Sequence, residues 1–240
     1  MKKKHWIRKI IGIMFLLLLC AGVTAVTFFG VKGYRMYQEA LAQKSMEERV
    51  AEIRNDKDFI TYDEMSEFYI DAVISVEDHR FMNHGGIDPI AICRAVFNDI
   101  KAGRFKEGGS TITQQVAKNM LFTQEKKMER KAAEVFAALD IEKLYSKEEI
   151  FELYVNTAYF GSGHYGIGEA AAGYFDKSPS ELTDYESAML AGVPNAPSAY
   201  SPDVNAELAA RRAEQVLGSM VDNELITQTE SEGIQEVSAN

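Results

Sequence analysis

The sequence contains little cysteine. Its 240 residues include two, Cys20 in an apolar segment near the N-terminus and Cys93 in an apolar helical pattern much further along the chain. Two cysteines so placed do not make a disulfide framework, which excludes a small secreted disulfide-rich scaffold. The chain is long enough for one large domain or two small ones.

Charge is missing from one long segment. Ile10–Val31 holds no charged residue, and the 22 residues between those bounds suffice to cross the roughly 30 Å apolar layer of a bilayer. Five basic residues precede it within residues 1–9, which predicts a cytoplasmic N-terminus and an extracytoplasmic remainder. The alternative is a cleaved signal peptide, but its apolar region usually has about 7–15 residues. We therefore predict a single-pass anchor (10–31) in a bacterial cell membrane.

The rest of the chain is poor in basic residues. Residues 1–31 hold five of the 26 basic residues and none of the 36 acidic ones, so the remainder has 21 basic against 36 acidic residues, a net charge of −15. This balance excludes nucleic-acid binding through bulk charge. An anionic ligand would need a local basic cluster.

No segment of any length shows the alternation that is typical of a strand. Apolar residues recur at helical spacing instead, which predicts a mainly α fold. We expect a single folded domain from residue 59 to 222, after a helical stalk or linker (32–58) and before a polar, mobile tail (223–240). Four capping boxes predict helix starts, at Thr61-x-x-Glu64, Ser146-x-x-Glu149, Ser178-x-x-Glu181 and Thr183-x-x-Glu186. Further helices are predicted from Asp88-Pro89, over Gln124–Tyr145 and over Asn205–Val221.

Two adjacent acids, Glu77 and Asp78, end the first helical pattern of this domain. The negative end of a helix dipole disfavours carboxylates and raises their pKa, which suits a general acid or base. A solvated surface turn is the alternative interpretation of the same residues.

A second group of residues combines glycines, hydroxyls and amides with one lysine. Gly109, Ser110 and Thr111 lead into Gln114, Gln115, Lys118 and Asn119. Flexible backbone and neutral donors beside a positive charge suit a sugar or a phosphate, although an ordinary polar helix start would look the same. Further along, four basic residues precede Glu134 within one short stretch: Lys126, Lys127, Arg130 and Lys131. This set is either a cationic cluster with one embedded acid or a surface ion pair of small energetic weight.

Together these motifs resemble the peptidoglycan glycosyltransferases of glycosyltransferase family 51, which occur alone or as the transglycosylase half of bifunctional penicillin-binding proteins. The first motif, E-D-x-x-F-x-x-H-x-G, is met by Glu77, Asp78, Phe81, His84 and Gly86. The second, G-x-S-T-I-x-Q-Q, is met by Gly108, Ser110, Thr111, Ile112, Gln114 and Gln115. The third, R-K-x-x-E, is met by Arg130, Lys131 and Glu134. Two further regions, Lys147–Asn156 and Glu186–Pro194, look like the fourth and fifth.

The resemblance implies a lysozyme-like helical lobe, a smaller membrane-associated lobe and lipid II as the substrate. It implies as partners the nascent glycan strand, membrane lipids and other cell-wall synthesis proteins. No Ser-x-x-Lys, Ser-x-Asn and Lys-Thr/Ser-Gly set is found, so no transpeptidase is expected. The sequence shows no dedicated metal site and requires no cofactor, while the resemblance allows a divalent cation (Mg or Mn) at the pyrophosphate.

The resemblance also assigns roles to residues. Glu77 is expected to be the catalytic base, and Glu134 a second catalytic carboxylate that orients the cationic cluster or the substrate. Substrate binding is expected from Asp78, Ser110, Thr111, Gln114, Gln115, Lys118, Asn119, Lys126, Arg130 and Lys131. Lys126 departs from the family, which often has arginine there.

Two other functions compete with this one. The first is an anchored lysozyme-like hydrolase, which would not need the cationic residues around Lys118–Lys131 because the bond that it cuts is neutral. The second is a non-catalytic scaffold for other wall-building proteins, for which intact acids at Glu77 and Glu134 would serve no purpose.

Overall fold

A computed structural model of the chain describes residues 2–102, 109–123 and 127–238. Within these residues the regular structure is helical, and the β-type pairing is a single bridge between Tyr159 and Tyr165. The predicted mainly α fold is therefore confirmed. The helices are α1 (Lys2–Gln43), α2 (Met46–Arg54), α3 (Glu67–Glu77), α4 (Pro89–Ala102), α5 (Ile112–Leu121), α6 (Met128–Leu144), α7 (Lys147–Thr157), α8 (Ile167–Phe175), α9 (Asp184–Gly192), α10 (Pro197–Tyr200), α11 (Ala206–Asp222) and α12 (Gln228–Ser238).

Side-chain caps explain where several helices begin. Ser146 is the N-cap of helix α7 and Thr183 is the N-cap of helix α9, and each forms the two reciprocal hydrogen bonds of a capping box. The predicted box at Thr61 also forms, but it opens only a short 3₁₀ turn, because Met65 then adopts an extended conformation. Helix α3 begins one turn later, where the Ser66 hydroxyl accepts a hydrogen bond from the Tyr69 amide at 3.1 Å.

The core lies among α3, α5, α6, α7, α9 and α11. Its largest fully buried side chains include Tyr69, Phe81, Phe151, Tyr154, Phe160 and Leu217. The buried face of α6 is built mainly from alanine, at positions 133, 137 and 138, so a neighbouring helix can approach its backbone closely. Helix α6 starts at Met128 and not at Gln124, and residues 124–126 lie outside the described residues.

Helix α1 joins the apolar N-terminal segment to the domain without a break. Its part Lys9–Gln43 is long and apolar enough to cross a membrane, by its length and composition. The apolar side chains from Ile10 to Val26 are exposed, including Leu16, Leu17 and Leu18. The predicted N-terminal apolar helix is therefore present, and it continues well beyond Val31.

The segment 32–58, expected to be a stalk, packs onto the domain instead. Tyr37, Ala40, Met46 and Val50 are buried in the core cluster. The Arg49 guanidinium donates hydrogen bonds to three backbone carbonyls, those of Ala40, Lys44 and Met120, at 3.0, 3.2 and 3.0 Å. A solvated spacer is thus the wrong interpretation, because the apolar residues scattered through this charged segment are buried from both α1 and α2.

The polar C-terminal segment also differs from expectation. Helix α12 occupies most of residues 223–240, with Ser231 buried and Ile234 packed against the core. Glu230 caps its start by accepting from the Thr227 amide at 2.7 Å. Local capping, the burial of Ser231 and the packing of Ile234 therefore give a helix where we expected a mobile tail.

The packing of α2 predicts that Val50→Asp destabilises the domain. Val50 is 3% exposed, and an ionised carboxylate placed there would lose its hydration without gaining a partner, at a cost of about 3 kcal/mol or more. Urea unfolding of the full chain in detergent micelles measures this loss. The matched control is Ala51→Asp, since Ala51 is exposed on the same helix; equal unfolding midpoints for the two variants would contradict the packing.

Candidate active site

A cleft of about 1110 Å³ opens where helix α3 ends and helix α5 begins. Its walls are formed by parts of α3, α4, α5, α6 and α11. Ten of the twelve predicted site residues line it: Glu77, Asp78, Ser110, Thr111, Gln114, Gln115, Lys118, Arg130, Lys131 and Glu134. Of the other two, Asn119 donates to the Thr157 hydroxyl at 3.4 Å and is not among the lining residues. Lys126 lies outside the described residues.

Glu77 is the last residue of α3 and is partly buried at the cleft wall. The Gln115 side-chain amide donates a hydrogen bond of 2.6 Å to its carboxylate. Burial raises the pKa of Glu77, and the charge of Asp78 adds to that rise. The Gln115 hydrogen bond and the positive charges of Arg212 and Lys118 oppose it. The carboxylate is thus made more basic by desolvation while its ionised form keeps a donor and cations nearby.

Asp78 does not present a free carboxylate to the cleft. The His84 ring nitrogen Nε2 lies 3.0 and 2.9 Å from its two oxygens, and the Ile112 backbone amide donates to it at 3.0 Å. Both Asp78 and the His84 side chain are buried. Asp78 therefore ties the end of α3 to the start of α5, while its expected substrate contact stays a prediction.

Thr111 and Gln114 are likewise occupied by the protein. The Thr111 hydroxyl accepts from the Gln114 amide at 3.1 Å and donates to the Gly86 carbonyl at 2.7 Å. The Gln114 side-chain oxygen accepts from the Thr111 amide at 3.1 Å. These residues form the capping box of α5. They fix the direction of the helix that carries Gln115 and Lys118.

Glu134 is embedded between two cations of its own helix. It is 1% exposed, and its oxygens lie 2.9 Å from Lys131 Nζ and 3.0 Å from Arg130 Nε. Lys131 also donates to the Ser110 hydroxyl at 2.5 Å. A carboxylate held in this way orients Lys131 and Arg130, which agrees with one of the two roles expected of it.

Lys118 lines the cleft without a counter-ion among the described residues. Its side chain makes no hydrogen bond or ion pair with any residue that the structure describes, although it lines the cleft. Burial lowers its pKa, and the nearby charges of Arg130 and Lys131 lower it further, while Glu134 and Glu77 act in the opposite direction. A half-buried ammonium group beside two other cations is a place where an anion would be stabilised.

The sequence analysis missed Arg212 of helix α11. Its Nε donates to the Gly192 carbonyl at 3.3 Å, and its guanidinium stands 5.7 Å from the Tyr200 ring. A Cβ at Gly192 would lie 2.6 Å from Arg212 Cγ, so the glycine leaves room for this side chain. Arg212 lines the same cleft as Glu77 and acts on its charge.

The sequence contains a signal for the part of the cleft that helix α11 forms. Arg212, Gln215, Ser219 and Asp222 follow one another at helical spacing and all line the cleft, while the opposite face of α11 is buried. The periodicity marks a polar face, but it cannot tell whether that face meets solvent or a site.

Comparisons with known proteins identify the family of this chain. Residues 44–221 match the sequence model of the family described as Transglycosylase. The chain belongs to the transglycosylase family. It is 46% identical over 168 residues to penicillin-binding protein 1A of Vibrio cholerae, a match that covers 70% of this chain and 20% of that protein. It is 37% identical over 236 residues to penicillin-binding protein 1F of Bacillus subtilis, covering 96% of this chain and 33% of that protein.

A third relative, penicillin-binding protein 1A of Aquifex aeolicus, is 44% identical over 169 residues, covering 70% of this chain and 23% of that protein. The chain thus spans at most a third of the length of these relatives. The family predicted from the five motifs is confirmed, and the transglycosylase match begins inside the segment that we had expected to be a stalk.

The contact between Gln115 and Glu77 predicts a change in titration. Replacing Gln115 with leucine removes a hydrogen bond to the charged carboxylate, so the pKa of Glu77 should rise further above its usual range. Carbon-13 NMR of labelled glutamate side chains in the full chain would follow the titration. Gln228→Leu, at an exposed position of α12, serves as the control; an unchanged or lowered Glu77 pKa in Gln115→Leu would contradict the assignment.

Proposed function

We propose that this chain is a membrane-anchored peptidoglycan glycosyltransferase that polymerises lipid II into glycan strands. The observation that carries the proposal is the arrangement in one cleft of a desolvated carboxylate, Glu77, and a cation without a counter-ion, Lys118. A base and a separate anion site are what a transfer from a pyrophosphate donor requires. Membership of the transglycosylase family supports the same reaction class.

In the proposed reaction the C4 hydroxyl of an acceptor N-acetylglucosamine attacks C1 of the donor N-acetylmuramic acid. Glu77 accepts the hydroxyl proton as the new C–O bond forms, a contribution of about 10²–10⁴-fold. The bond from C1 to the pyrophosphate oxygen breaks with its electron pair, and undecaprenyl pyrophosphate leaves. Attack opposite the leaving group converts the α-linked donor into a β-linked product.

The leaving group needs positive charge more than it needs a proton. Lys118 and Lys131 supply ammonium groups, and Arg130 a guanidinium, in the cleft that Glu77 also lines. Such preorganised charges stabilise the developing negative charge in the transition state. Glu134 takes no part in bond making in this proposal; it holds Arg130 and Lys131 in place.

The proposal routes no step through a metal ion. Among the residues that the structure describes, no three His, Cys, Asp or Glu side chains are grouped to hold one. The carboxylate of Glu134 is already neutralised by Lys131 and Arg130, and that of Glu77 is bonded to Gln115. We therefore assign neither carboxylate to a metal ion in this proposal.

Helix α1 gives the enzyme access to a substrate that stays in the bilayer. We assign its apolar part as the anchor, with the basic N-terminus cytoplasmic and the cleft outside. Helix α4 beside the cleft exposes Ile90, Ile92 and Phe97, the last being 67% exposed, and we assign these side chains to the bilayer surface. An enzyme held at that surface meets lipid II at a raised effective concentration.

The main test is polymerisation of lipid II by the purified full chain. Glu77→Gln should lose polymerisation by at least the factor of about 10² that a general base contributes, with no loss of fold, as read by gel analysis of glycan strands and by circular dichroism. Glu67→Gln, an exposed acid in the first turn of the same helix, should polymerise normally. Release of fragments from finished cell wall without any polymer would favour the hydrolase and refute this proposal.

A second prediction concerns the anion site. Lys118→Ala removes the cation without a counter-ion, and a lost charge-assisted hydrogen bond of about 1.5–3 kcal/mol corresponds to a roughly 10- to 150-fold fall in kcat/KM for lipid II. Steady-state kinetics measure this fall. Lys143→Ala, in the exposed last turn of α6, is the matched control. Unchanged kinetics in Lys118→Ala would remove this residue from the site.

A further inference from the structure

Helices α1 and α6 meet where α1 has a glycine, Gly33. A Cβ placed on Gly33 would lie 2.5 Å from Ala132 Cβ, 2.7 Å from the Ala133 backbone nitrogen and 2.8 Å from the Ala132 carbonyl carbon. Two of these three atoms belong to the backbone, so they cannot move aside by a change of rotamer. Gly33 therefore permits a close contact of the two helix backbones that any larger residue would force apart.

The α6 residues at this contact are next in sequence to α6 residues that line the cleft. Ala132 and Ala133 stand between Lys131 and Glu134 in the sequence, on the same helical turn. Lys131 and Glu134 reach the cleft, where they are bonded to each other and where Lys131 donates to Ser110. A shift of the α6 backbone at Ala132 would move both of these groups at once.

Contacts on both sides of Gly33 hold the two helices in register. Lys32 forms an ion pair of 3.2 Å with Glu129. The rings of Tyr34 and Phe136 pack edge to face at 5.3 Å between centroids. Further along, the Tyr37 hydroxyl donates to Asp140 at 2.8 Å, at a buried position of α1. Helix α1 cannot move away from α6 without losing these contacts, so added volume at Gly33 would act on the α6 backbone.

We propose that Gly33, at the outer end of the membrane helix, is a positioning residue for the pyrophosphate-binding groups of helix α6. The inference rests on the proposed function, because it takes the anion bound by Lys118, Arg130 and Lys131 to be the pyrophosphate of the lipid donor. Gly33 touches no substrate. It sets where Lys131 and Glu134 stand, and so couples the seating of the anchor on the domain to the geometry of the cleft.

The test compares Gly33→Leu with Gly30→Leu in the full chain. Gly30 lies one turn earlier on the same helix, and a Cβ there would meet nothing within 4 Å. Because a displacement of about 1 Å at a reacting group can cost up to about 10²-fold, Gly33→Leu should lower kcat/KM for lipid II by about 10- to 100-fold. It should also weaken the binding of inorganic pyrophosphate, measured by calorimetry, by about tenfold. Gly30→Leu should change neither quantity by more than about twofold.

Two further variants separate positioning from simple loss of stability. Tyr37→Phe removes a hydrogen bond between the same two helices without inserting atoms near Lys131; it should lower the melting temperature and leave pyrophosphate affinity unchanged. Gly33→Ala should give an effect smaller than that of Gly33→Leu but in the same direction, and it serves if the leucine variant does not fold.

The inference is overturned if Gly33→Leu binds pyrophosphate as tightly as Gly30→Leu, if Tyr37→Phe weakens that binding as much as Gly33→Ala does, or if the unmodified chain does not bind pyrophosphate. These outcomes are distinct from failure of the proposed function. An unmodified chain that makes polymer while Gly33→Leu and Gly30→Leu behave alike would refute only the positioning role. A Gly33-dependent pyrophosphate affinity in a chain that makes no polymer would refute only the function.

Discussion

The buried carboxylate of Asp78 holds the catalytic half of the molecule together. It joins the His84 ring to the first backbone amide of helix α5, that of Ile112, which lies 34 residues after Asp78 in the sequence. Burying an ionised carboxylate is costly unless its oxygens are bonded, and here both oxygens have partners. Once α3 and α5 are joined in this way, Glu77 and Gln115 are brought within hydrogen-bonding distance. Asp78 thus positions Glu77, the base of the proposed reaction, which precedes it in the sequence.

The residues after Val31 carry a net charge of −15, yet they build a cationic wall in the cleft. In the part of the chain that the structure describes, some of the cations that line the cleft have an acidic partner and others have none. Glu134 neutralises Arg130 and Lys131 and fixes their positions, whereas Lys118 is left without a counter-ion among the described residues. Local charge of this kind attracts an anion into the cleft at short range, where it is screened less than charge on the open surface.

The sequence predicted most of the helices and the family, because capping boxes and helical periodicity are local signals. The boxes at Ser146 and Thr183 start helices as expected. Tertiary packing decided the rest. Residues 32–58 read as a stalk since their apolar residues are diluted by charge, yet Tyr37 and Val50 reach the core. Thr111 and Gln114 carry groups suited to a sugar, but the helix start uses those groups itself. Arg212 belongs to no expected motif, and only the fold brings it to Glu77.

The different surroundings of Glu77 and Glu134 assign different roles to two residues of the same type. Glu134 is enclosed by two cations of its own helix, and its carboxylate holds both of them in place. Glu77 has one neutral donor, Gln115, and a pKa raised by burial, so a proton from a hydroxyl can be accepted there with less loss. A hydrolase acting on a neutral glycosidic bond needs an acid to protonate the leaving oxygen. Here Lys118 lines the same cleft as Glu77, and in the proposed reaction it stabilises a leaving group that is already an anion.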